Sequence, residues 1–119
     1  MAIGKVLVVD DEEDLREILR FDLEDIDLEV FEAESGNKVL SFLQQNPDIS
    51  AVISDIRMPD GDGVELLKSV KQQFPDLPFV LMTGFADYTD EHLLAIGAAH
   101  VVKKPMHFDA FNDLILKLV

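Results

Sequence analysis

Short apolar runs alternate with longer amphipathic segments along the chain, and the alternation repeats five times. The first run, residues 6–9, is apolar at every position, as expected of a strand that is buried on both faces of a parallel sheet. The other runs also contain β-branched residues and end near turn-forming residues. The pattern therefore predicts five strands, at residues 5–9, 28–33, 51–54, 79–82 and 99–102.

The segments between these runs have helical periodicity. An apolar stripe with spacings of three and four residues predicts one core-facing side of a helix over residues 12–25; its members are Leu15, Ile18, Leu19 and Leu23. Similar spacing predicts helices that begin near residues 36, 64, 90 and 108. Strands that alternate with helices are typical of an α/β domain with a parallel sheet. Because no linker interrupts the alternation, we expect a single domain over residues 1–119.

The composition narrows the chemistry that the chain can perform. It has no cysteine, which excludes disulfides, thiolate metal sites and cysteine nucleophiles. The 24 acidic and 10 basic residues leave a formal net charge of −14 without a visible basic patch, so we expect no direct contact with nucleic acid. Neither a bilayer-spanning apolar run nor a signal peptide is visible, and we expect a cytoplasmic location. The acidity itself either serves solubility or reflects carboxylates that converge on a cation.

Polar residues follow the predicted strands where each apolar run ends. In open parallel sheets, ligands bind beyond the carboxyl ends of the strands, so these are the candidate site residues. They are Asp10 and Asp11 after the first strand, Asp55 after the third, Thr83 after the fourth and Lys104 after the fifth. The sequence therefore predicts three acids, a hydroxyl and an ammonium at one edge of the sheet.

Each candidate also has a purely structural interpretation. The acids at residues 10–14 can cap the first helix, and Asp55 can begin a turn. Thr83 can be a surface hydroxyl, and Lys104 can be a solvated side chain before Pro105. For most of these residues taken singly the structural interpretation is favoured, but their coincidence at strand ends favours a shared site.

Carboxylates gathered at one edge repel one another, and a hard divalent cation relieves that repulsion. Mg²⁺ fits best, because it prefers oxygen ligands and accepts phosphate, whereas the cysteines or paired histidines that zinc prefers are absent near these acids. With a phosphate substrate, Asp55 would attack phosphorus, Thr83 would donate a hydrogen bond and Lys104 would neutralise a phosphoryl oxygen. These residues indicate a magnesium-dependent site that forms an acyl phosphate.

Four blocks of the sequence, in this order and spacing, resemble the receiver domains of bacterial two-component response regulators: KVLVVDDEED, VISDIRMPDGDGVEL, VLMTGFAD and HVVKKP. The resemblance spans essentially the whole chain. It implies an α/β fold of the flavodoxin-like, doubly wound kind, with a five-stranded parallel sheet in the order 2-1-3-4-5 and five helices.

The resemblance also implies a role for each candidate residue. Asp55 is then the phosphoacceptor, and Thr83 and Lys104 contact the phosphoryl group. The implied Mg²⁺ ligands are Asp10, Asp11, Asp55 and the main-chain carbonyl of Arg57. The implied donor is a sensor histidine kinase or a histidine phosphotransfer protein. Such a receiver takes part in its own phosphorylation and dephosphorylation but is a signalling domain rather than an enzyme.

One position departs from the family pattern. Receivers signal to an output domain or effector through the face of the fourth helix, fifth strand and fifth helix, where an aromatic residue in the fifth strand turns inward. Val101 stands at that position here, so a phosphorylation-independent interaction module is the first alternative function. The second, a metal-dependent phosphohydrolase, is disfavoured because Asp55 is not followed by another acid two residues later.

Overall fold

Five parallel strands form the central sheet of the computed structural model, which describes residues 3–56, 62–84, 89–103 and 108–119. The strand order is β2-β1-β3-β4-β5, as the resemblance implies. The strands are β1 (Gly4–Val9), β2 (Leu28–Ala33), β3 (Ala51–Asp55), β4 (Phe79–Thr83) and β5 (His100–Lys103). The predicted α/β fold with the order 2-1-3-4-5 is therefore confirmed.

A helix follows each strand along the chain. The helices are α1 (Glu13–Glu24), α2 (Val39–Gln45), α3 (Gly63–Gln73), α4 (Asp90–Ala95) and α5 (Phe108–Leu118), and a short 3-10 helix (Gly36–Lys38) precedes α2. Asp62 caps the start of α3, because its side chain accepts a hydrogen bond from the N–H of Glu65 at 2.8 Å. None of the helices described here has the length and apolar character that a bilayer crossing requires.

The sheet is covered on both faces, and β1 shows why its sequence is apolar throughout. Leu7 and Val9 belong to a core on one face, which includes residues of α2, α3 and α4. Val6 and Val8 point to the other face and pack in a core with residues of α1 and α5. Because successive side chains of a strand point to opposite faces, a strand buried on both sides needs apolar residues at every position.

The apolar stripe of α1 differs from the prediction at one position. Leu19 and Leu23 are fully buried and Leu15 is partly buried against the sheet, but the side chain of Ile18 is 50% exposed. The prediction that Ile18 faces the core was wrong. Residues spaced by four stay close to one line along a helix, whereas Ile18 is rotated by about 100° from Leu19 around the helix axis.

The ends of β4 and β5 lie one residue beyond the predicted ends. The parallel ladder between these strands pairs Val80 with His100 and continues to a pair between Thr83 and Lys103. Hydrogen bonding in the sheet therefore includes two polar residues that apolar patterning left outside the strands. Thr83 is consequently held by the sheet itself, at its carboxyl edge.

Candidate functional site

Three buried polar side chains mark the carboxyl edge of the sheet. Asp10 follows β1 and is fully buried, Asp55 ends β3 with 8% exposure, and Thr83 ends β4 with 6% exposure. In register, Val9 lies opposite Ser54, and Asp55 lies opposite Met82. The parallel strands β1, β3 and β4 therefore deliver these side chains to neighbouring points of the same edge, as the sequence predicts.

An acidic cluster lies at this edge. It consists of Asp10, Asp11, Glu12 and Asp55, and one carboxylate oxygen from each residue lies within 4.8 Å of those of the others. Asp10 and Asp55 form its buried floor, whereas Asp11 and Glu12 are exposed. An oxygen-only donor set with this concentration of negative charge suits a hard divalent cation such as Mg²⁺. Glu12 was not predicted as a site residue; its only sequence signal is its place directly after the acidic pair.

The main chain of Asp10 is fixed by its neighbours. Its N–H donates to the carbonyl of Ala33 at 3.1 Å, and its carbonyl accepts from Nη1 of Arg16 at 2.6 Å. Its Oδ1 accepts from the N–H of Glu12 at 2.9 Å. Glu12 is the N-cap residue of α1 and makes no side-chain capping hydrogen bond in this part of the chain. Oδ1 of Asp10 therefore stabilises the turn that leads into the helix.

Hydrogen bonds from neighbouring residues fix the side chain of Asp55 and the main chain around it. Its Oδ1 accepts from the N–H of Ile56 at 2.8 Å, and the hydroxyl of Ser54 donates to its carbonyl at 2.9 Å. Gly63, the first residue of α3, donates its N–H to the carbonyl of Ile56 at 2.6 Å. A Cβ atom at position 63 would lie 2.3 Å from the carbonyl oxygen of Asp55, so only glycine permits this approach.

Two predicted site residues, Arg57 and Lys104, lie outside the described residues. His92 and His100 are exposed and are not members of the acidic cluster. The structure thus brings together Asp10, Asp11 and Asp55, and it places Thr83 on the strand next to Asp55. These contacts show proximity, and the chemical role of each residue stays a prediction.

Residues 6–116 match the family model of the response regulator receiver domain. The chain belongs to this family. The family resemblance predicted from the four sequence blocks is therefore confirmed, and the chain is a signalling domain of the kind found in response regulators. The acidic cluster lies at the edge where the resemblance places the phosphoacceptor pocket of a receiver.

Curated relatives of the receiver are longer proteins. The "DNA-binding transcriptional regulator NtrC" of Salmonella typhimurium is 40% identical over 122 residues, an alignment that covers all of this chain and 25% of the relative. The "Response regulator protein PilR" of Pseudomonas aeruginosa is 29% identical, with 97% of this chain and 26% of the relative covered. The receiver thus spans about a quarter of the length of these relatives.

Solved structures share the fold over nearly the full length. The chemotaxis protein CheY4 of Vibrio cholerae superposes with a TM-score of 0.88 at 27% identity, covering 99% of the receiver and 100% of CheY4. The response regulator protein TrrA of Thermotoga maritima, solved in complex with Mg²⁺-BeF, superposes with a TM-score of 0.87 at 30% identity. That superposition covers 98% of the receiver and 100% of TrrA.

Proposed function

We propose that this receiver accepts a phosphoryl group on Asp55 in a reaction that requires Mg²⁺. One observation carries the proposal: the carboxylates of Asp10, Asp11, Glu12 and Asp55 converge at the carboxyl edge of the sheet in a member of the receiver family. Such a cluster is costly without a counterion, because converging carboxylates repel one another. A cation with a phosphoryl ligand relieves that cost.

The residues that would hold the cation are Asp10, Asp11, Asp55 and, by family resemblance, the main-chain carbonyl of Arg57. When bound, Mg²⁺ supplies positive charge that neutralises the carboxylates and the oxygens of the phosphoryl group. Buried Asp10 and Asp55 offer oxygens from the protein side, and exposed Asp11 lies where water also has access. The complex of TrrA with Mg²⁺-BeF, a relative of the same fold, supports this choice of cation.

In the phosphoryl transfer, a carboxylate oxygen of Asp55 forms a bond to phosphorus while the bond from phosphorus to the imidazole nitrogen of a phosphohistidine breaks. The departing imidazole takes up a proton, and Asp55 becomes an acyl phosphate. Thr83 donates its hydroxyl to a phosphoryl oxygen, and the ammonium of Lys104 opposes the negative charge. Attack of water on the phosphorus later releases phosphate and restores the carboxylate.

The donor is a sensor histidine kinase or a histidine phosphotransfer protein, by family resemblance. We assign residues 1–119 to one receiver domain with a cytoplasmic location, and we expect no direct contact of this domain with nucleic acid or membrane. An output domain or effector would read the face of α4, β5 and α5. The longer relatives, among them a DNA-binding regulator, support an output domain in the whole protein.

A phosphorylation-independent interaction module is the second candidate, and Val101 favours it. Its side chain is half-buried and packs against the core that includes residues of α2, α3 and α4. Valine has no aromatic ring that can turn inward to report the state of Asp55. Retention of the acidic cluster weighs against this candidate, because a module without phosphorylation has no need of four converging carboxylates.

Incubation with acetyl phosphate and Mg²⁺, followed by intact-protein mass spectrometry, tests the proposal. The wild-type chain should gain the mass of one phosphoryl group, and Asp55→Ala should gain none. Asp76→Ala removes an exposed aspartate far from the acidic cluster in sequence and should behave as wild type. Absence of the adduct on the wild-type chain would favour the interaction module, and an adduct that persists in Asp55→Ala would move the acceptor to another residue.

A further inference from the structure

Arg16 of α1 contacts the acidic cluster through the main-chain carbonyl of Asp10. Its Nη1 donates to the carbonyl of Asp10 at 2.6 Å, and its Nε pairs with Oε1 of Glu32 at 3.3 Å. The side chain of Arg16 is only 13% exposed, and its hydrogen bond to the carbonyl of Asp10 is partly buried. A charge-assisted hydrogen bond in such a place is stronger than one on the surface.

Arg16 and β2 together hold the main chain of Asp10. The N–H of Asp10 is bound to the carbonyl of Ala33, and the carbonyl of Asp10 is bound to Arg16. Arg16 in turn is paired with Glu32, the residue that precedes Ala33 in β2. The N–H of Asp10 is therefore bound to β2 directly, and its carbonyl is linked to β2 through Arg16 and Glu32. This constraint limits the directions that the buried carboxylate of Asp10 can take.

We propose that Arg16 is a positioning residue of the cation site, acting through the carbonyl of Asp10 to orient its carboxylate toward Asp11 and Asp55. The inference rests on the proposed Mg²⁺ site and extends it to a residue that contacts neither cation nor phosphate. Groups that orient metal ligands commonly change metal affinity by about 10-fold to 100-fold when they are removed.

Charge alone predicts the opposite effect. The guanidinium of Arg16 is a positive charge close to a site for a cation, so its removal should tighten Mg²⁺ binding by Coulomb's law. Loss of the orientation of the Asp10 carboxylate should instead weaken Mg²⁺ binding. The sign of the change in Mg²⁺ affinity therefore distinguishes positioning from simple electrostatics.

Arg20 provides a matched control one turn further along α1. It pairs with the same carboxylate, because its Nη1 lies 3.2 Å from Oε2 of Glu32. Its Nη2 donates to the carbonyl of Val30 at 2.9 Å, whereas Arg16 donates to the carbonyl of Asp10. Arg20→Ala thus removes the same charge from the same helix and the same ion-pair partner without removing the bond to Asp10.

Isothermal titration of Mg²⁺ into the chain of residues 1–119 tests the inference, with thermal unfolding in the absence of Mg²⁺ as a check on folding. We expect Arg16→Ala to raise the Mg²⁺ dissociation constant about 10-fold and Arg20→Ala to change it by less than about 2-fold. Arg16→Lys keeps the charge but cannot reproduce the planar fork, and we expect an intermediate loss of about 3-fold.

The possible outcomes separate this inference from the proposed function. Unchanged or tighter Mg²⁺ binding in Arg16→Ala, or an equal loss in Arg20→Ala, overturns the role of Arg16 and leaves the Mg²⁺ site standing. Wild-type protein that fails to bind Mg²⁺ overturns both. Should Arg16→Ala fail to fold, Arg16→Lys decides, since wild-type affinity in that variant contradicts positioning by the guanidinium fork.

Discussion

The lack of a side chain at Gly63 lets α3 approach the main chain of Asp55 closely. The N-terminus of α3 lies against the main chain at the end of β3, and a Cβ atom at position 63 would also lie 3.0 Å from Cα of Ile56. Glycine is needed at this position because the space between the helix and the backbone of Asp55 has no room for a Cβ atom.

We expect Gly63→Ala to lower the free energy of unfolding by about 1–3 kcal/mol, because main chain must shift to make room for the methyl group. Urea unfolding followed by circular dichroism measures the change. Gly4→Ala is the control, because its Cβ would meet mainly side chains, those of Val119 and Leu28, and it should cost less than about 1 kcal/mol. Equal losses in the two variants would contradict the steric explanation.

Lys5 and Asp48 form an exposed ion pair that connects β1 to the segment before β3. The hydrogen bond to Asp48 raises the pKa of Lys5 above its ordinary value of 10.5. The hydrogen bond from Lys5 lowers the pKa of Asp48 below its ordinary value of 3.8. The stabilisation from Asp48 is therefore present above pH 3.8 and is lost as the pH falls through its lower folded-state pKa. The stabilisation from Lys5 is present below pH 10.5 and is lost as the pH rises through its higher folded-state pKa.

We expect Asp48→Asn to lower the urea midpoint slightly at pH 7, since exposed ion pairs are weak and screened by salt. The difference from wild type should persist as the pH is lowered from 7 to about 3.8 and shrink below that, because protonation of Asp48 breaks the pair in the wild-type protein as well. Asp76→Asn, at an exposed aspartate, is the control for a general loss of negative charge. A difference that is independent of pH would show that the pair does not stabilise the fold.

At the scale of elements, α1 has two apolar stripes with different environments. Leu19 and Leu23 pack in the core, whereas Ile18 is 50% exposed and Phe21 is 67% exposed. Periodicity alone does not separate the two stripes, since both follow spacings of three or four residues. Burial depends on which side of the helix meets the sheet.

Two truncations in α1 therefore have different expected costs. Leu23→Ala should lower the free energy of unfolding by about 2–5 kcal/mol, because it leaves a cavity in the core. Ile18→Ala removes a half-exposed side chain and should cost less than about 1 kcal/mol. Chemical denaturation of both variants measures the difference, and similar losses would mean that Ile18 is buried in solution.

In β5, adjacent residues also have different environments. Val101 packs against the core beside α2, α3 and α4, and His100 is exposed. Val101→Ala should cost about 1 kcal/mol for a partly buried side chain that loses two methyl groups. His100→Ala, one residue earlier in the same strand, should be within about 0.5 kcal/mol of wild type. Thermal or urea unfolding of both variants measures these costs, and a neutral Val101→Ala would contradict a stabilising contact of this side chain with the core.

For the molecule as a whole, the net charge of −14 includes the four carboxylates of the acidic cluster. On the proposed function, Mg²⁺ binds the folded chain and not the unfolded one. At about 100 times its dissociation constant it should add about 2.7 kcal/mol to the free energy of unfolding and raise the unfolding temperature.

A chelator should reverse that stabilisation, and NaCl of equal ionic strength should not reproduce it. Asp55→Asn removes one repelling carboxylate, so it should unfold at a higher temperature than wild type without Mg²⁺ and gain less when Mg²⁺ is added. Differential scanning calorimetry with and without Mg²⁺ measures both effects. Equal stabilisation by Mg²⁺ and NaCl would indicate general screening of charge rather than a site.

Much of the fold follows from local rules. Apolar runs locate all five strands, because a strand inside a parallel sheet is buried on both faces. Their polar ends locate Asp10, Asp55 and Thr83, because the carboxyl ends of parallel strands meet at one edge. The strand order was implied by family resemblance rather than by periodicity, since apolar patterning does not specify which strands are neighbours.

The sequence by itself determined the alternation of elements, the acids at the strand ends and the family to which the chain belongs. Tertiary structure alone decided that Ile18 is exposed, that Glu12 joins the acidic cluster, and that Arg16 meets both the carbonyl of Asp10 and the side chain of Glu32. The physical reason is that burial and hydrogen bonding depend on how separate elements meet. Residues 16 and 32 lie in different elements, and packing of α1 against β2 brings their charges together.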